Sequence, residues 1–158
     1  MTDIPMTDRA PDYVYVTYIK TTPKKVWDAI TVPEFARQYW TYENVSDWKK
    51  GSPWEHRTRD GKTMLVGTVE ETRPPEKLVI TWSAPGNEAN ASRVTFDIAK
   101  AGEMVKLTVT HSQLRAGTDM AKNIAIGWPR VLSSLKSFLE TGQPLVESWA
   151  EYKQTCDV

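Results

Sequence analysis

The sequence predicts an α+β fold in which a curved seven-stranded antiparallel sheet carries two short helices and one long C-terminal helix. Residues 120–142 form the only long segment whose apolar residues recur three or four positions apart, as in a helix with one buried face. Nearly every earlier segment alternates apolar and polar residues, as half-buried strands do. Since the apolar helix face needs a partner, we expect it to lie across the sheet. The predicted order of elements is β-α-α-β6-α.

A first strand and two short helices are predicted at the start of the fold. Residues 13–20 are rich in aromatic and β-branched side chains, which favour strands. Thr22 is suited to cap a helix over residues 23–30, and the proline that follows it is typical of the first position of a helix. Residues 33–39 begin with proline in the same way. The two segments predict a bent helical pair after the first strand.

Turn residues divide the next part of the chain into six strands. Asp60 and Gly61 are typical of a two-residue type I′ turn, which would make Arg59 and Lys62 paired neighbours. The other connections contain proline, glycine or asparagine and are short, as between neighbouring antiparallel strands. The six strands are predicted over residues 42–48, 54–59, 62–71, 77–83, 93–99 and 104–111.

The long helix contains one helix-breaking residue and a clear end. Pro129 lies inside the helical pattern, so we expect a kink near Ala125 or a restart at Trp128. Gly142 is suited to the left-handed conformation that ends many helices. A straight helix cannot touch a strongly curved sheet along its whole length. A cavity between the helix and the sheet is therefore predicted.

Length and composition indicate one domain. The 158 residues contain no linker or change in composition that would divide them. We expect a single domain over residues 13–142, a flexible N-terminus of residues 1–12, and a C-terminal extension of residues 143–158. In that extension Leu145, Val146, Trp149 and Tyr152 recur at helical spacing, which favours a short amphipathic helix that covers the sheet or mediates a dimer.

Charge and cysteine content exclude several classes of protein. Twenty basic residues balance twenty acidic ones, so the broad positive field that nucleic acids or anionic membranes require is not expected. The start has no leader pattern, and no apolar run approaches the ~20 residues of a membrane span, so a cytoplasmic location is expected. A lone cysteine, Cys156, cannot form an intrachain disulfide or a thiolate metal cluster.

Tryptophans are the first candidates for a binding site. Trp54, Trp82 and Trp128 belong to three separate elements, and all three fall on predicted inward faces. Trp40 ends the second short helix, where it would cap one end of the cavity. Either these side chains line an open pocket, as aromatic residues do in many small-molecule sites, or they fill a packed core.

The two histidines are the second group of candidates. His56 and His111 lie on predicted inward faces, where each could bind a ligand or act as an acid or base. The alternative is a core imidazole tied to a neighbouring hydroxyl or carbonyl. No third residue at metal-binding spacing accompanies them, so neither a metal site nor a cofactor is expected. A Gly-x-Ser-x-Gly nucleophile motif and a Gly-rich phosphate loop are also missing from the sequence.

Four motifs between residues 13 and 142 resemble a known family. They occur in the order TPKKVWDAITVPEFARQYW, VEETRPPEKLVITW, LTVTHSQL and GWPRVLSSLKSFLETG. With them the chain resembles the activator of heat-shock protein 90 ATPase homologue family, within the START and Bet v 1-like helix-grip superfamily. The resemblance implies a helix-grip fold whose cavity holds apolar or amphipathic ligands in many relatives. The family is named after a eukaryotic co-chaperone.

The sequence thus favours a non-catalytic protein that binds a small apolar or amphipathic ligand between helix and sheet. One alternative is a stress-related module that interacts with heat-shock protein 90, and a second is an enzyme that uses a cavity histidine as acid or base. The expected oligomeric state is a monomer or a weak homodimer. The predicted cavity lining comprises Trp40, Trp54, His56, Trp82, His111, Met120, Ile124 and Trp128.

Overall fold

The computed structural model describes residues 5–146 and confirms the predicted fold class and order of elements. Short 3-10 turns cover Met6–Asp8 and Glu88–Asn90. The strands and helices are β1 (Tyr13–Ile19), α1 (Pro23–Thr31), α2 (Pro33–Trp40), β2 (Tyr42–Val45), β3 (Pro53–Thr58), β4 (Thr63–Arg73), β5 (Lys77–Trp82), β6 (Ser92–Ala101), β7 (Met104–Ser112) and α3 (Asp119–Thr141).

The seven strands form one antiparallel sheet in the order β1-β7-β6-β5-β4-β3-β2. Consecutive strands are neighbours from β2 to β7, as the short turns predict, while β1 pairs with the last strand. The register places Tyr13 opposite His111 and Ile19 opposite Val105. The alternating apolar side chains of β5, β6 and β7 are buried under the helices and are the main contribution of the sheet to the core.

The caps of the helices follow the sequence signals. The Thr22 hydroxyl accepts a hydrogen bond from the backbone N–H of Lys25 and caps α1, and Thr118 caps α3 in the same way. Gly142 ends α3 in the left-handed conformation, with φ 80°. Between these ends α3 is continuous, so the predicted restart at Trp128 is wrong. The carbonyl that loses its partner to Pro129 belongs to Ala125, an exposed residue, where water can satisfy it.

The β3–β4 hairpin is confirmed, but its predicted turn is wrong. Thr58 N–H donates to the Lys62 carbonyl at 2.9 Å, and Gly61 N–H donates to the Thr58 carbonyl at 3.0 Å. The loop therefore has three residues, and Arg59 is not paired with Lys62. Gly61 has φ 92°, while Asp60 is not among the residues with positive φ. An Asp-Gly pair serves both loop types, because the three-residue loop also ends on a left-handed glycine.

The C-terminal turns of α3 are tied to β1. Lys136 Nζ donates to the Tyr18 carbonyl at 2.6 Å and to the Glu140 carboxylate at 2.8 Å. The same carboxylate accepts from the backbone N–H of Lys20 at 2.9 Å. These contacts fix one end of the helix against the edge of the sheet.

The segments that flank the domain also contact it. Ala10 N–H donates to the Leu114 carbonyl at 2.7 Å, and Leu145 N–H donates to the hydroxyl of the buried Ser134 at 2.9 Å. Trp149, Tyr152 and Cys156 lie outside the described residues, as does most of the predicted tail helix. Within residues 5–146, the helices fall short of the length and apolar character needed to cross a membrane.

A close contact across three strands requires glycine at position 67. Gly67 on β4 is paired with Trp54 on β3, whose indole N–H reaches over it to the Thr81 carbonyl on β5 at 2.7 Å. A Cβ atom at position 67 would lie 1.9 Å from the Thr81 oxygen and 2.4 Å from the indole nitrogen. Because Gly67 has no side chain, the Trp54 indole can lie against its backbone.

We expect Gly67→Ala to lower the free energy of unfolding by about 2–4 kcal/mol, since it both overpacks the core and breaks the Trp54 hydrogen bond. Gly127→Ala is the matched control, because a Cβ atom there meets nothing within 4 Å. Its helical position predicts a gain of up to about 1 kcal/mol. Urea unfolding followed by tryptophan fluorescence measures both. A Gly67→Ala protein as stable as wild type would contradict the proposed packing.

Candidate functional site

A cavity of about 420 Å³ lies between the N-terminal half of α3 and the sheet. This volume falls within the range of small-molecule sites. None of the described side chains that border it carries a formal charge at neutral pH. They are Trp40, Tyr42, His56, Met64, Leu65, Trp82, Met120, Asn123, Ile124, Gly127, Trp128 and Val131.

Most of the candidates from the sequence meet at this cavity. Its wall includes Trp40, His56, Trp82, Met120, Ile124 and Trp128. The other two predicted side chains, Trp54 and His111, are not in the wall; their ring centroids lie 5.4 Å and 5.6 Å from that of Trp82. They support the wall from within the core instead of bordering the cavity.

Three tryptophans from three elements form the aromatic part of the wall. The centroid of Trp128 on α3 lies 5.4 Å from that of Trp82 on β5 and 5.9 Å from that of Trp40 on α2. Trp40 and Trp82 lie 6.5 Å apart with an interplanar angle of 22°. Ring pairs at these distances attract one another beyond the burial of their area. The cluster holds α2 and α3 over the sheet at one end of the cavity.

His111 belongs to a closed chain of hydrogen bonds in the core. Trp128 Nε1–H donates to His111 Nδ1 at 3.0 Å, so this nitrogen is unprotonated and the ring proton is on Nε2. His111 Nε2 then donates to Ser92 Oγ at 2.7 Å, and Ser92 donates to the Trp82 carbonyl at 3.0 Å. Both nitrogens of this buried imidazole are satisfied. The interpretation of His111 as a core imidazole tied to a hydroxyl is confirmed.

His56 has a different environment, at the wall of the cavity. Its Nδ1 lies 2.7 Å from Asn44 Oδ1, and Asn44 Nδ2 donates to the Ile30 carbonyl at 2.9 Å. The centroids of Trp40 and Tyr42 each lie 4.7 Å from that of the imidazole. The ring is thereby fixed between aromatic side chains, with one nitrogen tied to β2.

Burial lowers the pKa of both histidines. The pKa falls to about 4 for His56 and to about 3 for His111, because the charged imidazolium would lose its hydration among aromatic rings. Both side chains are therefore neutral at pH 7. Within residues 5–146 there is no group of three histidine, cysteine, aspartate or glutamate side chains that could hold a metal ion.

Several residues of the site escaped the sequence analysis. Tyr42, Met64, Leu65, Asn123, Gly127 and Val131 also border the cavity. Asn44 and Ser92 orient the two histidines, and both are buried polar residues. Their positions on the inward face of β2 and at the start of β6 offered a signal, because a polar residue at a buried strand position needs a partner.

A second cavity of about 460 Å³ adjoins the first. The two share Trp82, Met120 and Asn123 in their walls. Its surface is mostly apolar, but it is bordered by more polar and charged residues than the first, among them Ser83, Asn87, Asn90, Ser92, Gln113, Arg115, Thr118 and Asp119. An uncharged aromatic cavity thus lies beside one that also offers polar and charged side chains.

A long helix packed over a curved antiparallel sheet, with a cavity between them, defines the helix-grip class of domains. The family model described as "Activator of Hsp90 ATPase homolog 1-like protein" matches residues 20–140, well over half of the chain. The chain therefore belongs to this family, and the predicted resemblance is confirmed. No curated protein matches it significantly.

Solved structures support the fold. The Aha1 dimer from Colwellia psychrerythraea has a TM-score of 0.71 at 22% identity, over 84% of this chain and 98% of that one. CalU16 from Micromonospora echinospora has a TM-score of 0.67 at 21% identity, over 83% and 77% of the chains. An HSP90 activator from Plasmodium falciparum has a TM-score of 0.69 at 20% identity, over 81% and 95%.

The lowered pKa values predict a loss of stability in mild acid. Below the unfolded value of 6.5, the unfolded state takes up a proton at each histidine while the folded state stays neutral down to about pH 4 and 3. Unfolding should therefore become easier by about 2 kcal/mol per histidine between pH 7 and pH 5. Urea unfolding across this range measures the effect.

Imidazole NMR resonances provide the control, because the chain has two histidines. Both should stay neutral down to pH 5 in the folded protein. Arg57 and Lys136 lower the pKa of Glu55 and Glu140 in the folded protein, but the stability that this provides is lost mainly below the usual pKa of 4.5, outside the range from pH 7 to pH 5. A resonance that titrates near pH 6.5 would contradict the burial of that histidine.

Proposed function

We propose that this protein is a non-catalytic, cytoplasmic binding protein that holds a small apolar or amphipathic molecule between α3 and the sheet. The observation that carries the proposal is the uncharged cavity of about 420 Å³, bordered by three tryptophans in an otherwise well-buried core. The cavity opens to solvent beside the exposed Asn123 and Gly127, so its apolar side chains lack the van der Waals contacts that they would have in a packed core. A ligand that fills the cavity would regain them. The single cysteine of the chain fits a reducing compartment.

The polar side chains that border the adjoining cavity support the amphipathic part of the proposal. A molecule with an apolar body among Trp40, Trp82 and Trp128 would reach the adjoining cavity past the shared side chains of Met120 and Asn123. Its polar end would then meet the side chains of Asn87, Asn90 or Arg115. Ligand sites commonly combine an apolar wall with a few polar groups in this way.

The histidine geometry favours binding over catalysis. An acid or base in the cavity needs a nitrogen that can exchange a proton near neutral pH. Both nitrogens of His111 are occupied by Trp128 and Ser92, and the pKa of His56 is lowered to about 4. The alternative of an enzyme that uses a cavity histidine is therefore less favoured than binding.

A second candidate function is interaction with heat-shock protein 90. The family description and the Plasmodium falciparum HSP90 activator, at 20% identity, favour this possibility. A monomer or weak homodimer fits either function, and the Colwellia psychrerythraea structure is described as a dimer. Pull-down of heat-shock protein 90 by the purified chain tests the second candidate directly.

Native mass spectrometry of the fresh protein, followed by a thermal-shift screen of neutral apolar molecules, tests the binding proposal. A ligand at 100 times its Kd stabilises the folded state by about 2.7 kcal/mol. For a domain of this size each kcal/mol raises Tm by about 2–4 °C. The same ligand should quench tryptophan emission, since three tryptophans border the cavity.

Two substitutions on α3 make the test specific. Gly127→Leu adds an apolar side chain at a position that borders the cavity and where a Cβ atom would meet nothing within 4 Å, so we expect a folded protein that no longer binds. Ala125→Leu is the matched control, because Ala125 is exposed and is not part of the cavity wall. If no member of a broad panel shifts the wild-type Tm, the binding proposal fails and heat-shock protein 90 interaction becomes the leading candidate.

A further inference from the structure

His56 keeps one hydrogen-bonding atom without a partner among the described residues. The side chain is only 3% exposed and borders the cavity. Its single hydrogen bond is the one between Nδ1 and Asn44 Oδ1, at 2.7 Å. Nε2 is at the end of the ring away from the backbone and is not sealed off from solvent, so it is accessible from the cavity that His56 borders. The cavity wall therefore carries an unpaired nitrogen.

Asn44 determines which nitrogen holds the proton. Asn44 Nδ2 donates to the Ile30 carbonyl at 2.9 Å, which leaves Oδ1 to face His56. The opposite amide orientation would place two oxygens against each other. Because Oδ1 can only accept, His56 Nδ1 must donate and therefore carries the proton. In the neutral imidazole, Nε2 is then an acceptor.

The aromatic neighbours hold this acceptor in one place. Trp40 and Tyr42 contact the imidazole on either side of Thr41, which adopts the left-handed conformation with φ 70°. This conformation is unfavourable for a β-branched residue, and such backbone strain is often found at functional sites. Trp82 adds a third ring at 6.0 Å. The Nε2 atom is thus held in position before any ligand arrives.

We propose that the ligand is a neutral aromatic molecule with a hydroxyl group, and that this hydroxyl donates a hydrogen bond to His56 Nε2. The inference rests on the proposed function, since it names the chemical class that the same cavity selects. Water can reach this acceptor in the empty cavity, and a ligand that displaces the water must supply a donor of its own to avoid leaving the acceptor unpaired. Flat aromatic ligands suit the rings of Trp40, Trp82 and Trp128.

The uncharged wall indicates that the ligand is neutral. A carboxylate would lose its hydration without meeting a lysine or arginine in the wall, and it would face the lone pair of Nε2. An ammonium group could donate to Nε2, but the wall offers no carboxylate to balance its charge. Within this wall both charged groups are therefore disfavoured relative to a hydroxyl, since Arg115 and Asp119 border only the adjoining cavity.

A matched pair of probes isolates the hydrogen bond. We expect 2-naphthol to bind about 10-fold more tightly than 2-methoxynaphthalene, because the ether has the same ring system and no donor. Naphthalene-2-carboxylate and 2-naphthylmethylammonium should bind at least about 10-fold more weakly than 2-naphthol. Quenching of tryptophan fluorescence gives the four values of Kd.

The substitution His56→Phe should remove the preference for 2-naphthol over its methyl ether while the ether still binds. A second measurement uses the wild-type protein and does not depend on the folding of this variant. In ¹⁵N NMR, the Nε2 resonance of His56 should shift upfield when 2-naphthol binds and stay in place with the ether. His111 is the internal control, since both of its nitrogens already have partners.

The outcomes separate this inference from the proposed function. Equal affinities for 2-naphthol and 2-methoxynaphthalene, with no shift at His56 Nε2, would overturn the inference and leave binding in the cavity intact. Tighter binding of either charged probe would overturn it as well. If neither neutral probe binds while other apolar molecules do, aromatic hydroxyl recognition is wrong. If no apolar molecule binds, the proposed function itself fails.

Discussion

The position of α3 over the sheet depends on the hydrogen bond between Trp128 and His111. This bond continues through Ser92 to the Trp82 carbonyl, so it connects the helix with β7, β6 and β5. Each atom in the chain is buried, and a buried polar atom is costly unless its partner is in place. All of these hydrogen bonds can therefore form together at only one distance between the helix and the sheet. That separation leaves the cavity unfilled beside Ile124 and the turns around it.

The two histidines show how the same side chain takes different roles through its neighbours. Both are neutral and enclosed by tryptophans, which lowers the pKa of each for the same reason. The indole N–H of Trp128 occupies the second nitrogen of His111, whereas only the first nitrogen of His56 has a protein partner. Asn44 fixes the proton of His56 as Trp128 fixes that of His111. One imidazole is thus part of the core, and the other presents an acceptor to the cavity.

Local signals made the elements predictable, because helix caps and turns depend on a few adjacent residues. Thr22 and Gly142 act through hydrogen bonds within one turn of the helix. The loop at Asp60-Gly61 was mispredicted because two loop lengths use the same residue pair. The alternation of apolar and polar residues also identified the inward faces of the strands. It does not distinguish a side chain that borders the cavity from one that lies in the core behind it. Whether Trp54 borders the cavity depends on Gly67, which lets its indole lie flat across β4.

An open cavity that leaves apolar side chains unpacked between α3 and the sheet costs stability, and the contacts around it explain how the fold tolerates one. Unfilled space removes favourable contacts from every side chain that borders it. The elements around the cavity are held by bonds that do not cross it: Trp54 joins β3 to β5, and Lys136 with Glu140 joins α3 to β1. Because these contacts hold the strands and helices together outside the cavity, the aromatic side chains of the wall do not have to fill it. The cavity can then stay unfilled while the rest of the domain keeps its packing.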